Sequence, residues 1–155
     1  MGIEIEKKFL VNKELWVKAT PQKNVMIRQA YLTTDPQCIV RVRILDDKGY
    51  ITLKGETIGI TRKEFEYEIP ANDAEQLISS FAKSVIEKKR HYVLYNDKTW
   101  EVDEYFGANE GLLTAEIELL SPDEQFAIPE WVGKDVTSDY RYSNSNLADK
   151  PYNTW

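Results

Sequence analysis

The sequence predicts a mainly β (α+β) fold: an eight-stranded antiparallel closed β-barrel with a few helices packed on its outside. Three observations lead there. Eight stretches are rich in β-branched and aromatic residues and bounded by turn-forming ones. Most of the connections between them are short, whereas parallel neighbours need crossovers of about a dozen residues or more. Finally, charged side chains recur at every second position of strand after strand, which makes one face of the sheet charged and the other apolar.

Taken in chain order, the strands are 3–11, 25–33, 38–45, 49–56, 61–69, 84–95, 99–106 and 112–120. Asp46-Asp47-Lys48-Gly49 and Asn96-Asp97-Lys98 supply turn chemistry between neighbours. Helical signals are fewer. Asn12 is placed to cap a turn at 13–18, and Asn72 or Asp73 to cap a helix over 73–82 with Leu77, Ile78 and Phe81 on one face. Ser121-Pro122-Asp123-Glu124 reads as a capping box with Pro122 at the first helical position. The tail from Ser138 to Ala148 reads as a short polar helix. With 155 residues, no repeat and no linker, the expectation is one domain over 1–155.

Composition removes several function classes. At 42% hydrophobic and 30% charged the chain is too apolar for disorder, and it has no apolar run of the ~18–20 residues that a membrane helix needs. Residues 1–10 lack a signal-peptide core and Cys38 is the only cysteine, so the expected setting is cytoplasmic, without disulfides or a membrane. One cysteine and one histidine, His91, exclude cysteine- and histidine-rich metal sites and make a Ser-His-Asp or Cys-His mechanism a poor fit. A net charge of −6 argues against nucleic acid as a partner.

The placement of charge is the informative feature. Glu4, Glu6 and Lys8 share one face of the first strand. Arg41 and Arg43 share a face of the third, Thr52 and Lys54 of the fourth, and Arg62, Glu64, Glu66 and Glu68 of the fifth. Lys88 goes with Arg90, Glu101 with Asp103, and Glu116 with Glu118. Any one of these is an ordinary solvated face. As a set they include runs of one sign, which are unfavourable on an open sheet without opposite charges across from them. An inside-out barrel resolves this, with apolar residues outward under the helices and charges lining a bore wide enough for one small ligand. Lys8, Arg41, Arg43, Lys54, Lys88 and Arg90 would form its basic side, and Glu4, Glu6, Asp103, Glu116 and Glu118 its acidic side. A polyphosphate with its divalent cations satisfies both signs: arginine forks and lysines take phosphate oxygens, and paired carboxylates take Mg²⁺ or Mn²⁺.

Glu4-Ile5-Glu6-Lys7-Lys8 resembles the ExExK signature of the CYTH superfamily, the triphosphate tunnel metalloenzymes. Arg41-Val42-Arg43, Thr52-Leu53-Lys54, Arg62 with Glu64 and Glu66, Lys88-Lys89-Arg90, Glu101-Val102-Asp103 and Glu116-Ile117-Glu118 follow in that family's order over residues 4–118. Asp139-Tyr140-Arg141-Tyr142 is similar to the family's C-terminal helix. The ordered set, one member per strand, carries the resemblance, and the chain most resembles the compact bacterial members that hydrolyse inorganic tripolyphosphate. The resemblance implies a Mg²⁺- or Mn²⁺-dependent triphosphatase. Glu4, Glu6, Glu116 and Glu118 would be metal ligands and Asp103 a fifth candidate. Lys8, Arg41, Arg43, Lys54 and Arg90 would clamp phosphates, Lys88 would lie by the bond that breaks, and a carboxylate among Glu4, Glu6 and Glu118 would orient the attacking water.

The same clamp serves a class IV adenylate cyclase, a thiamine triphosphatase or a non-catalytic binder of polyphosphate or nucleotide, so tripolyphosphate, ATP and thiamine triphosphate all stand as ligands. Homodimerisation is compatible with this reading, and the sequence leaves oligomeric state open. By parity Lys89 and His91 point away from the bore, a packing position. Tyr31 either gates the bore or packs, Trp16, Trp100, Trp131 and Trp155 read as outer packing or surface residues, and the Glu64–Glu68 ladder pairs with neighbouring basic strands.

Overall fold

The computed structural model describes residues 2–155, and its strands close into the expected barrel. In chain order they are β1 (Gly2–Val11), β2 (Lys23–Thr33), β3 (Cys38–Leu45), β4 (Lys48–Gly55), β5 (Thr61–Ile69), β6 (Val85–Tyr95), β7 (Lys98–Tyr105), β8 (Leu113–Glu118) and a short β9 (Val132–Asp135). Every pairing is antiparallel, in the order β5-β4-β3-β2-β6-β7-β8-β1, and β1 returns to β5 to complete the ring. The closing seam is short, Gly2–Ile5 against Thr61–Glu64. Further along, β9 takes over the same edge of β1, with Phe9 opposite Asp135 and Val11 opposite Val132. This ninth strand was not expected. VGKD has little strand propensity, and what recruits it is the otherwise unpaired backbone of β1.

Turn residues match their backbone. Asn96 and Asp97 both take positive φ (48° and 63°), the conformation a two-residue hairpin requires and one that Asn and Asp tolerate. At the β3–β4 turn, Asp46 does the same with φ 51°. Gly49 is needed for a different reason. A Cβ there would lie 2.8 Å from the Cβ of Ala74, because α2 (Ala71–Phe81) sits directly on β4.

The helices differ from expectation at their ends. Asn12 caps α1 (Lys13–Trp16) through Oδ1, which accepts from the Leu15 N–H at 3.1 Å, but the helix stops short of 18. Asn72 and Asp73 are not caps. The helix begins two residues earlier behind Pro70, whose fixed φ presets the entry, and Asp73 lies in the first turn, where it faces the positive end of the helix dipole. Ser121–Glu124 forms a turn and not a helix. The Glu124 carboxylate accepts from the Leu120 N–H and pairs with Lys98, so it is unavailable to the Ser121 N–H that a capping box would use. In the tail, a 3-10 turn at Tyr140–Tyr142 precedes α3 (Asn144–Asp149), capped by Ser143.

The barrel is inside-out. One outer apolar layer gathers Phe9, Val93, Trp100, Val102, Ala115, Ile117, Leu119 and Trp131 beneath α1 and the 119–136 stretch. A second packs Ala30, Val42 and Ile44 against Ala74 and Ile78 of α2. Trp100 is fully buried among Phe9, Phe126 and Trp131, and His91 packs edge-on to Trp16 with Nε2 3.2 Å from Glu104, both outside the bore.

The third apolar cluster lies at one end of the bore. Leu10, Tyr31, Ile86 and Tyr105 share strand faces with Lys8, Gln29, Lys88 and Asp103, and they pack with Leu112, Tyr142, Leu147, Ala148 and Tyr152. The C-terminal segment is thus a plug and not a polar surface helix. Among the described residues, no helix is long and apolar enough to cross a membrane.

Candidate active site

In a ring of eight strands, those four apart face each other across the bore. The ring order therefore sets β3 with Arg41 and Arg43 against β8 with Glu116 and Glu118, and β4 with Lys54 against β7 with Glu101 and Asp103. The strands at 3–11 and 112–120 become hydrogen-bonded neighbours, so Glu4, Glu6, Glu116 and Glu118 gather on one wall. All the expected site residues face this one bore, although they come from six strands.

The pairing is dense. Lys54 Nζ donates to Glu4 at 3.1 Å and lies 3.1 Å from Glu64, while Arg62 Nε donates to Glu4 at 3.0 Å. Burial alone would raise the Glu4 pKa, but Lys54 and Arg62 hold the carboxyl well below the usual range. Glu66 accepts from Arg41, Arg43 and the Thr52 hydroxyl, so Glu64 and Glu66 of the Glu64–Glu68 ladder both pair with basic residues. Lys8 lies 3.7 Å from Glu116 and donates to the Tyr142 carbonyl at 2.9 Å.

Asp103, a fifth candidate metal ligand in the sequence, pairs here with two basic residues. Its Oδ1 accepts from Arg90 Nε at 2.8 Å, and its Oδ2 from Arg90 Nη2 at 2.9 Å and Lys88 Nζ at 2.8 Å. Burial pushes its pKa up, yet Arg90 and Lys88 outweigh burial and bring it down to about 2. Arg90 also donates to Glu101 at 2.8 Å, a bore residue whose alternation with Asp103 was visible in the sequence. Lys88 is 1% exposed, and burial lowers its pKa to about 8 against the opposing pull of Asp103.

Two features mark this bore as incomplete by itself. On the basic side, burial and the nearby Arg41 and Arg90 bring the Arg43 pKa down to about 10, and Nε of both Arg41 and Arg43 is buried with no acceptor among the described residues. Unmet donors on mutually repelling cations call for an anion. On the acidic side, Glu6 lies directly opposite Glu118 and Glu116 opposite Glu101, like-charge cross-strand pairs that are unfavourable without a cation. Burial, Glu116 and Glu4 all push the Glu6 pKa well up, while Lys8 and Arg90 help hold Glu116 low despite its burial. Glu118 is exposed, at the opposite end of β8 from the plug.

This donor set fits a hard divalent cation. Among the described residues no three carboxylate, imidazole or thiolate groups close a cage by themselves. Mg²⁺ characteristically takes one or two carboxylates and completes its shell with water and substrate phosphate. Two outer grooves of about 350 Å³, one by Lys18–Thr20 and Trp131 and the other by Thr33–Asp35 and Ser84, hold none of the charged bore residues.

Comparison with known proteins agrees with this geometry. A family model described as the CYTH domain matches residues 2–152. A protein of Acetivibrio thermocellus named inorganic triphosphatase is 48% identical over 98% of this chain and 97% of its own. One of the same name from Nitrosomonas europaea is 36% identical over 94% and 96%. A crystal structure described as an inorganic triphosphatase superposes with a TM-score of 0.65 at 34% identity, covering 94% of this chain and 93% of its own.

Proposed function

This chain belongs to the CYTH-domain family, and from that premise we propose that it is a divalent-metal-dependent hydrolase of a small triphosphate, inorganic tripolyphosphate, acting in the cytoplasm. The observation that carries the reading is the pair of unmet guanidinium donors at Arg41 and Arg43 facing, by ring order, a wall of like-charged carboxylates. A triphosphate and a divalent cation answer both demands at once, and the two named relatives share the chain over nearly its whole length.

In this reading Arg41, Arg43, Lys54, Lys8 and Arg90 exchange some of their internal carboxylate partners for phosphate oxygens, with Arg41 and Arg43 offering forked contacts. Asp103 holds Arg90 and Lys88 in place, and Lys88 meets the phosphoryl group that is transferred. Glu6, Glu116, Glu118 and Glu4 would hold Mg²⁺ or Mn²⁺, which when bound neutralises phosphate charge and acidifies a coordinated water. The oxygen of a water, oriented by a carboxylate of that wall, bonds to the terminal phosphorus while the bridging P–O bond breaks, and the proton the water loses passes through that carboxylate to solvent. Orthophosphate forms and pyrophosphate leaves with the bridging oxygen. Positioning and charge neutralisation supply most of the rate.

Product analysis tests this directly. Purified protein with Mg²⁺ or Mn²⁺ should release orthophosphate from tripolyphosphate and form no cyclic AMP from ATP. Cyclic AMP with pyrophosphate would make it a cyclase, faster cleavage of thiamine triphosphate would move the substrate, and tight triphosphate binding without turnover would make it a binder.

A further inference from the structure

The C-terminal plug does more than close the bore, because one of its side chains touches Lys88. Asn144 opens α3, and its Oδ1 accepts from the Lys88 ammonium at 3.4 Å and from the Tyr105 hydroxyl at 2.9 Å. Tyr105 is 1% exposed and lies directly opposite Lys88 in the β6–β7 register. The plug is fixed on either side of Asn144. Lys8 donates to the Tyr142 carbonyl at 2.9 Å, Ser143 Oγ accepts from the Asn146 N–H, and Leu147 is fully buried.

We infer that Asn144 is a positioning residue: its amide oxygen, held by Tyr105, orients the Lys88 ammonium toward the transferred phosphate. An ammonium has three N–H donors. Asp103 takes one at 2.8 Å and Asn144 a second, which fixes rotation about the Cε–Nζ bond and leaves the third to point at a ligand. A neutral amide suits this place, since it supplies direction without adding a negative charge that would repel phosphate. The inference deepens the triphosphatase reading and rests on it.

Steady-state tripolyphosphate hydrolysis by Asn144→Ala, Asn144→Asp, Tyr105→Phe and the Asn144→Ala/Tyr105→Phe double variant tests it. Asn144→Ala should lower kcat about tenfold, the effect of losing one hydrogen bond to a charged group, with KM nearly unchanged. Tyr105→Phe should lower kcat less, and the double variant should be no worse than Asn144→Ala, because both act through one contact. Asn144→Asp keeps an acceptor oxygen but brings a negative charge toward the phosphate, so it should recover part of the rate and not all of it. A normal kcat in Asn144→Ala, or a loss that Asn144→Asp does not recover and that follows melting temperature, overturns the inference.

A second readout needs no activity. The Lys88 Nζ resonance of ¹⁵N-labelled protein, assigned by its absence in Lys88→Ala, should shift or broaden in Asn144→Ala. An unchanged resonance removes the contact whether or not the chain hydrolyses tripolyphosphate. Wild-type protein that releases no phosphate sinks the triphosphatase reading and the kinetic role with it, whereas an active wild type with an indifferent Asn144 sinks this inference alone.

Discussion

Arg90 and Asp103 are joined by two parallel hydrogen bonds, Nε to Oδ1 at 2.8 Å and Nη2 to Oδ2 at 2.9 Å, and the carboxylate is shielded from solvent. Such a fork, with Lys88 on the same carboxylate, makes Asp103 the anchor of two phosphate-facing cations. Removing one partner of a buried pair costs about 3–5 kcal/mol, because it strands the other charge.

Asp103→Asn should therefore lower the melting temperature by roughly 10 °C while leaving divalent-metal affinity in place. Glu116→Gln should do the reverse, weakening metal binding about tenfold or more with a smaller loss of stability. Calorimetric metal titration and thermal melts of both variants decide the matter. Lost metal binding in Asp103→Asn at unchanged stability would return Asp103 to the ligand set.

Glu6 makes a pH-dependent prediction of definite sign. Burial first, then Glu116 and Glu4, raise its folded pKa well above 4.5, so the folded protein holds a proton that the unfolded chain releases above that pH. Stability from this group is complete below the unfolded pKa and falls as pH rises toward the folded one. Metal-free Glu6→Gln should thus melt higher than wild type at pH 7 by a few degrees, and equally with wild type at pH 4. An equal gain at both pH values would assign the effect to packing instead of charge.

Much of this architecture is written in period-two alternation. Charged-face assignments such as Arg41 with Arg43 and Glu116 with Glu118 depend only on neighbouring positions, and strands obey them locally. Where context decided, local signals failed. Ser121-Pro122-Asp123-Glu124 has capping-box spacing, yet Glu124 is drawn to Leu120 and Lys98. Val132–Asp135 became a strand because β1 offered an unpaired edge. Asn144 carried no signal at all, since its contact with Lys88 spans 56 residues and exists only once the tail enters the barrel. Asp103 shows the same limit from the other side: alternation put it in the bore but could not say which of the bore's charges it would meet.

The arginine wall predicts how the protein responds to ligand without metal. Burial, then Arg41 and Arg90, hold the Arg43 pKa down to about 10, so these cations repel one another until an anion joins them. Tripolyphosphate at about a hundredfold excess over its Kd should add about 2.7 kcal/mol to stability, a rise in melting temperature of roughly 5–10 °C. Arg43→Gln relieves part of the repulsion and removes a fork. Its ligand-free melting temperature should equal or exceed that of wild type, while the tripolyphosphate-induced rise should fall by about half or more. Melting curves with and without tripolyphosphate, in the presence of a chelator, measure both quantities. A variant that melts well below wild type yet keeps the full ligand-induced rise would mean that Arg43 holds the barrel together through Glu66 and takes no part in binding the anion.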